Sequence, residues 1–160
     1  MGLFNWLKKD PEIKKAEFVS PATGKMIPIE QVEDETFASK ILGDGFAVEL
    51  TDGEVIAPFD GEVTAAFPTG HAYGLKREDG LKCLIHIGLD TVELNGAGFD
   101  VKVKQGDQVK QGQLLVKVNL EQITGAGKSL VSPIVFSSGA AFTLLKNDSA
   151  VKGEEILHLE

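Results

Sequence analysis

The 160-residue chain carries 16 basic and 24 acidic side chains, and a net charge of −8 with no clustered Lys and Arg argues against nucleic acid as a partner. Cys83 is the single cysteine, which excludes an intramolecular disulfide framework and a cysteine-based structural zinc site and suits a reducing compartment. No apolar run approaches the roughly 20 residues that span a bilayer, so the expectation is one soluble, cytoplasmic domain.

Residues 1–16 read differently from the remainder. Leu3, Phe4 and Leu7 fall on one helical face with Trp6 beside it, and Lys8 and Lys9 follow. Pro11 should stop such a helix, and so short a helix is marginal alone in water. The stretch lacks the basic, apolar and cleavage-site order of a signal peptide. Residues 1–18 carry Lys8, Lys9, Lys14 and Lys15 against Asp10, Glu12 and Glu17, a balance of +1 that leaves −9 for the rest. Two readings stand for residues 1–16: a frayed, flexible terminus, or a weak membrane-surface or partner-docking segment.

From residue 17 the chain reads as short strands parted by turns: 17–19, 46–50, 53–57, 61–67, 71–76, 81–87, 99–103, 114–118, 130–136, 142–145 and 156–159. Alternation is clear in Val63, Ala65, Phe67 and in Leu114, Val116, Val118. Turn signals fall at 20–24, Gly43–Gly45, Asp60-Gly61, Asp79-Gly80, Asn95-Gly96 and Gly106-Asp107. This spacing indicates an all-β sandwich or barrel. One short helix is predicted after Asn119, which can cap it, with Gln122 at the reciprocal position and Gly125 able to end it. Pro21, Pro58 and Pro133 each sit beside an apolar strand, and a proline there fits an edge or a strand start.

Two of the three histidines draw attention, whereas His158 reads as surface. In 81–87 alternation puts Leu81, Cys83, Ile85 and Ile87 on one face and Lys82, Leu84 and His86 on the other. Cys83 is thus a small buried apolar residue and not a nucleophile. The strand before it carries His71, Tyr73 and Leu75 on one face. A two-residue loop at Glu78-Asp79, or a four-residue loop over 77–80, makes His71 and His86 direct cross-strand partners with Cβ atoms about 4.5–5.5 Å apart. A turn at Asp79-Gly80 sets His86 against Tyr73, with His71 a diagonal neighbour at roughly 7–8 Å. A three-residue Glu78–Gly80 loop with a left-handed glycine breaks this parity. Two adjacent imidazoles can ligate a metal, act as nucleophile and helper, or sit as a satisfied pair. No third ligand stands nearby at zinc-like spacing. Thr69 is two residues from His71 and can hydrogen-bond its ring.

The stretch from Gly80 to Gly96, with His86-Ile-Gly-Leu-Asp-Thr-Val92 at its centre, resembles the signature of the glucose-type enzyme IIA domain of the bacterial phosphoenolpyruvate:sugar phosphotransferase system. Ser20 to Pro28, Phe37 to Gly45, Ala57 to Gly61 and Thr69-Gly-His71-Ala are similar to further blocks of that family in the same order, so the resemblance covers 17–160. It implies an antiparallel β-sandwich with a short helix or two. It implies His86 as phosphoryl acceptor, His71 beside it, and Thr69 orienting His71. It implies a shallow apolar docking patch matched by Phe37, Phe67, Leu84 and Val92, with Asp90 as the acidic residue after the acceptor. The implied partners are the histidine-containing phosphocarrier protein and a sugar-specific enzyme IIB/IIC permease; no cofactor and no metal are expected, and the modest apolar patch points to a monomer.

Beside it stand a metal site on the histidine pair, completed by a partner's carboxylate, and two other readings. One is a regulatory module whose phosphorylation state is read by other proteins through the same patch. The other is a carrier with a lysine-linked cofactor, because Val103 to Leu115 is similar to the turn pattern of lipoyl and biotinyl domains. No comparable lysine motif stands out there, so that stretch is read as shared β-architecture.

Overall fold

A computed structural model describes residues 16–160. The expected amphipathic or flexible N-terminal segment, apart from Ala16, lies outside the described residues. The strands are β1 (Gly24–Pro28), β2 (Asp44–Leu50), β3 (Glu54–Ile56), β4 (Gly61–Ala66), β5 (Ala72–Lys76), β6 (Lys82–His86), β7 (Phe99–Val101), β8 (Gln108–Val109), β9 (Leu114–Val118), β10 (Val131–Phe136), β11 (Phe142–Leu144), β12 (Ser149–Ala150) and β13 (Leu157–Leu159). Eight of them form one sheet in the order β12-β1-β2-β10-β6-β5-β4-β8. A three-stranded sheet β3-β9-β7 and a β11-β13 pair complete the β-structure, and all the pairings are antiparallel. The result is a β-sandwich, as expected.

The two larger sheets share one apolar core. Phe46, Val48, Tyr73, Leu75, Ile85 and Phe136 meet Val55, Leu115, Val116 and Ile123 in it. Burying each of the larger side chains stabilises the fold by about 1.5–3 kcal/mol. Phe18 is fully buried edge-on to Phe136, with ring centroids 5.2 Å apart, although 17–19 forms no strand and Val19 makes only an isolated bridge to Glu155. A second, smaller cluster of Ile29, Val32, Phe37, Ala47, Leu89 and Val135 covers the outer face of the large sheet. That outer cluster is the platform on which the histidines stand.

Local chemistry explains where elements agree with expectation and where they differ. The predicted helix is α2 (Leu120–Gly125), with the Asn119 side chain accepting from the Gln122 N–H at 3.0 Å. Gly125 is its last helical residue; Ala126 closes it, and Gly127 takes the left-handed backbone at φ +81°. A second helix, α1 (Glu35–Ala38), is capped by Asp34, which accepts from the Thr36 N–H. The alternation in β9 is interrupted by a register shift between Leu114 and Val116, so Leu115 is buried as well. β1 escapes the sequence reading because Gly-Lys-Met-Ile-Pro has neither alternation nor a β-branched run. Pro133 lies inside the central strand β10 rather than at a start or an edge. The ladder to β6 runs only from Ile134 to Phe136, so no ladder bond toward β6 is lost at the proline.

Candidate functional site

His86 ends β6 and Leu84 precedes it on the outer face, while Cys83 and Ile85 point into the core. Burial pushes the Cys83 thiol well above its ordinary pKa, which suits an inert core residue. The β5–β6 turn is the three-residue loop Glu78–Gly80. Arg77 N–H donates to Leu81 O at 2.8 Å, and Gly80 adopts φ +97°. This loop sets Ala72 opposite His86 and Tyr73 opposite Ile85. Neither expected pairing, His71 nor Tyr73 across from His86, therefore occurs.

The two rings meet nonetheless, with centroids 5.0 Å apart and planes at 80°. His71 precedes β5, so its side chain is not bound by ladder parity. Its carbonyl accepts from the Ile87 N–H at 2.6 Å, which ties it to the residue after His86. The turn before it closes through Gly70 N–H donating to Phe67 O at 2.7 Å, and Tyr73 Oη donates to Gly70 O at 2.8 Å. His158 is exposed and 3.9 Å from Glu17, away from this pair's partners.

His86 Nδ1 lies 2.8 Å from the carbonyl oxygen of Gly88. A carbonyl can only accept, so Nδ1 carries the hydrogen and the neutral ring offers its lone pair at Nε2. Burial holds the His86 pKa below the ordinary imidazole value, opposed by the Gly88 carbonyl and by Asp34 and Asp90. His71 is buried, and desolvation, followed by repulsion from His86, lowers its pKa to about 4. Both rings are therefore neutral near pH 7. Thr69 Oγ1 and His71 Nδ1 share a hydrogen bond of 2.6 Å.

The depressed His71 value gives a pH prediction. The unfolded chain takes up this proton near pH 6.5 and the folded one only near 4. The contribution of His71 to stability is complete above about pH 6.5 and is lost progressively as the pH falls from there to about 4. Urea midpoints measured from pH 7 to 4.5 should fall in the parent and fall less in His71→Gln.

Gly88 occupies φ +75°, and a Cβ there would lie 2.6 Å from Thr91 Cγ2 and 2.7 Å from Ser129 O. Gly88→Ala should cost about 2–4 kcal/mol, combining left-handed strain with overpacking. Chemical denaturation checks it, and a cost under about 1 kcal/mol would show that the loop yields.

Apolar rings flank the imidazoles. Phe37 lies 5.0 Å from His86 between centroids, and Phe67 lies 5.3 Å from His71. Phe67 and Val92 are exposed, Leu84 is half-buried, and Asp90 is exposed at φ 60°. Phe37 is buried at 4% exposure, so it supports His86 more than it offers a surface. Sequence reasoning passed over Asp34, Ile41 and Leu42. Ile41 is 77% exposed on the turn after α1, a position that two apolar residues before Gly43-Asp-Gly45 could have signalled. Among the described residues, no three His, Cys, Asp or Glu side chains gather as a metal-binding group. No helix among them is long and apolar enough to cross a membrane.

A β-sandwich bearing two neutral, touching imidazoles at an apolar rim has the construction of a group carrier. A family model for the phosphoenolpyruvate-dependent sugar phosphotransferase system, EIIA 1, matches residues 16–142. The glucose-specific EIIA component of this system from Staphylococcus aureus (strain COL) is 43% identical over 150 residues, covering 91% of this chain and 90% of that protein. Its counterpart from Staphylococcus epidermidis (strain ATCC 12228 / FDA PCI 1200) is 46% identical over 125 residues, covering 78% and 75%. The solved structure of glucose permease IIA from Mycoplasma capricolum superimposes with a TM-score of 0.83 at 38% identity, covering 90% of this chain and 96% of that one. The chain belongs to the EIIA 1 family of the phosphoenolpyruvate-dependent sugar phosphotransferase system. It is a phosphoryl carrier in sugar uptake, and its partners belong to the phosphotransfer chain.

Proposed function

We propose that His86 Nε2 accepts the phosphoryl group from the histidine-containing phosphocarrier protein and passes it to a sugar-specific enzyme IIB of an IIB/IIC permease. The observation that carries this reading is the His86 Nδ1–H bond to Gly88 O, which leaves the Nε2 lone pair free in a ring kept neutral by burial. The donor's P–N bond breaks as the Nε2–P bond forms, and the charge stays on the three phosphoryl oxygens. In this reading the bond between Thr69 Oγ1 and His71 Nδ1 has the hydroxyl as donor, which puts the hydrogen of His71 on Nε2, where it donates to a phosphoryl oxygen. Phe67 and Val92 offer apolar docking surface, Phe37 and Leu84 support it from below, and Asp90 supplies charge at its edge. A small apolar rim suits a protein that must bind two partners in turn and release both.

Intact mass after incubation with phosphoenolpyruvate, enzyme I and the phosphocarrier protein tests the reading. One phosphoryl adduct that disappears in mild acid is expected, with fragmentation mapping it to His86. No adduct under active donor conditions, or an adduct on another residue, overturns it.

A further inference from the structure

Besides Tyr73, whose hydroxyl serves the turn before β5, four polar side chains are buried among the described residues: Ser20, His71, Thr91 and Ser132. A buried hydroxyl is unfavourable unless it is hydrogen-bonded, so its partners show what it holds. Ser20 serves its own turn, donating to Ala22 O at 2.7 Å. The side chains of Thr91 and Ser132 converge on the loop Ile87–Leu89 that follows His86, where the backbone carbonyl of His71 also accepts from the Ile87 N–H.

Thr91 Oγ1 donates to Ile87 O at 2.5 Å. Ser132 Oγ accepts from the Gly88 N–H at 3.0 Å and donates to Leu130 O at 3.0 Å. These two hydroxyls grip opposite ends of one peptide plane, the Ile87 carbonyl and the Gly88 N–H. The next plane is held by Leu89 N–H donating to Ser129 O at 3.3 Å. Gly88 lies between the two planes at φ +75°, and glycine is the residue whose torsions are otherwise freest. Its carbonyl is the group that accepts from His86 Nδ1. The ladder between β6 and β10 has stopped before Pro133, so a side chain holds the Gly88 N–H where the ladder no longer does.

We propose that Ser132 and Thr91 are positioning residues for phosphoryl transfer: their buried hydroxyls clamp the Ile87–Gly88 peptide so that the Gly88 carbonyl holds His86 in the tautomer with a free Nε2. This assignment rests on His86 being the acceptor. If the clamp loosens, the Gly88 carbonyl swings and His86 samples the tautomer with its hydrogen on Nε2, which has no lone pair there to attack phosphorus. Neither hydroxyl touches the transferred group.

The test uses the full chain and the variants Ser132→Ala, Ser132→Thr and Thr91→Val, with Ser20→Ala as a control for losing a buried hydroxyl elsewhere. Nitrogen-15 spectra of the imidazoles above pH 7 report the His86 tautomer, and single-turnover mixing with phosphorylated carrier protein reports the acceptance rate. Expected are a single tautomer in the parent and in Ser20→Ala, and a tautomer mixture in Ser132→Ala and Thr91→Val. Acceptance should be about tenfold slower in those two variants, and Ser132→Thr should restore both readouts. A single parent-like tautomer in folded Ser132→Ala overturns the clamp whether or not the rate falls, because a slower rate alone would reflect packing. Should the variants not fold, amide exchange in the parent decides. A Gly88 N–H that exchanges as slowly as the β6 ladder supports the clamp, and one that exchanges as a loop amide overturns it. A parent that takes up no phosphoryl group refutes the acceptor reading, and the tautomer spectra still decide the clamp.

Discussion

His86→Ala should carry no phosphoryl group at all. Intact mass after full donor treatment is expected to match the unmodified chain, while the parent gains one acid-labile adduct. The expectation rests on exclusion as well as on His86 itself. His71 is the nearest other imidazole, but it is buried and shares its Nδ1 with Thr69. His158 is exposed beside Glu17, whereas Phe37 and Phe67 flank His86 and His71. The fold should survive the change. His86 is half-buried at the end of β6, and among the described residues its one side-chain hydrogen bond is to Gly88 O. Losing that bond and part of the Phe37 contact should cost about 1 kcal/mol. A chemically similar adduct on His86→Ala would move the acceptor role elsewhere, to His71 first.

His71→Gln should separate the two halves of the relay. Acceptance should persist, because the variant keeps His86, its Gly88 hydrogen bond and its Nε2 lone pair. Onward transfer to enzyme IIB should slow by about 10²–10³-fold, the usual cost of one lost donor at developing charge. In acceptance, the donor protein delivers the group already aligned. In onward transfer, the group starts on His86 and must be held in line by a neighbour whose ring is 5.0 Å away. His71 is a rigid ring fixed by Thr69 and packed edge-on to Phe67. A glutamine amide has a similar donor on a chain with more rotatable bonds and loses that fixed aim. Rapid-quench transfer from the phosphorylated variant measures the effect, and a rate equal to the parent's would remove His71 from the mechanism.

Much of this arrangement follows from local patterns. Alternation over 81–87 separates His86 from Cys83, and the structure keeps them on opposite faces of β6. The Asn119 cap and the run after it specify α2. The string from His86 to Val92 points to the family that the comparisons establish. Each depends on residues a few positions apart, where side-chain periodicity and capping chemistry act directly.

The meeting of the histidines was harder to read, because loops of two, three and four residues around Asp79-Gly80 are all compatible with the same letters. Each one-residue change shifts every cross-strand partner. The three-residue loop prevails, with Gly80 in the left-handed region, and it forbids direct pairing of His71 with His86. Their contact comes instead from the Ile87 N–H bond to His71 O and from the turn that Tyr73 anchors.

Local sequence thus settles which chemical groups are present and which face of β6 they leave from, since both depend on neighbours along the chain. It cannot aim them. The burial of Phe37 under His86 needs Val135, nearly a hundred residues later, to cover the same outer face of the sheet. The tautomer of His86 depends on the Gly88 carbonyl two residues away, but the N–H of that same glycine is held by Ser132 from β10. Long-range packing makes these choices because a glycine hinge and an exposed turn have no strong local preference to resist it.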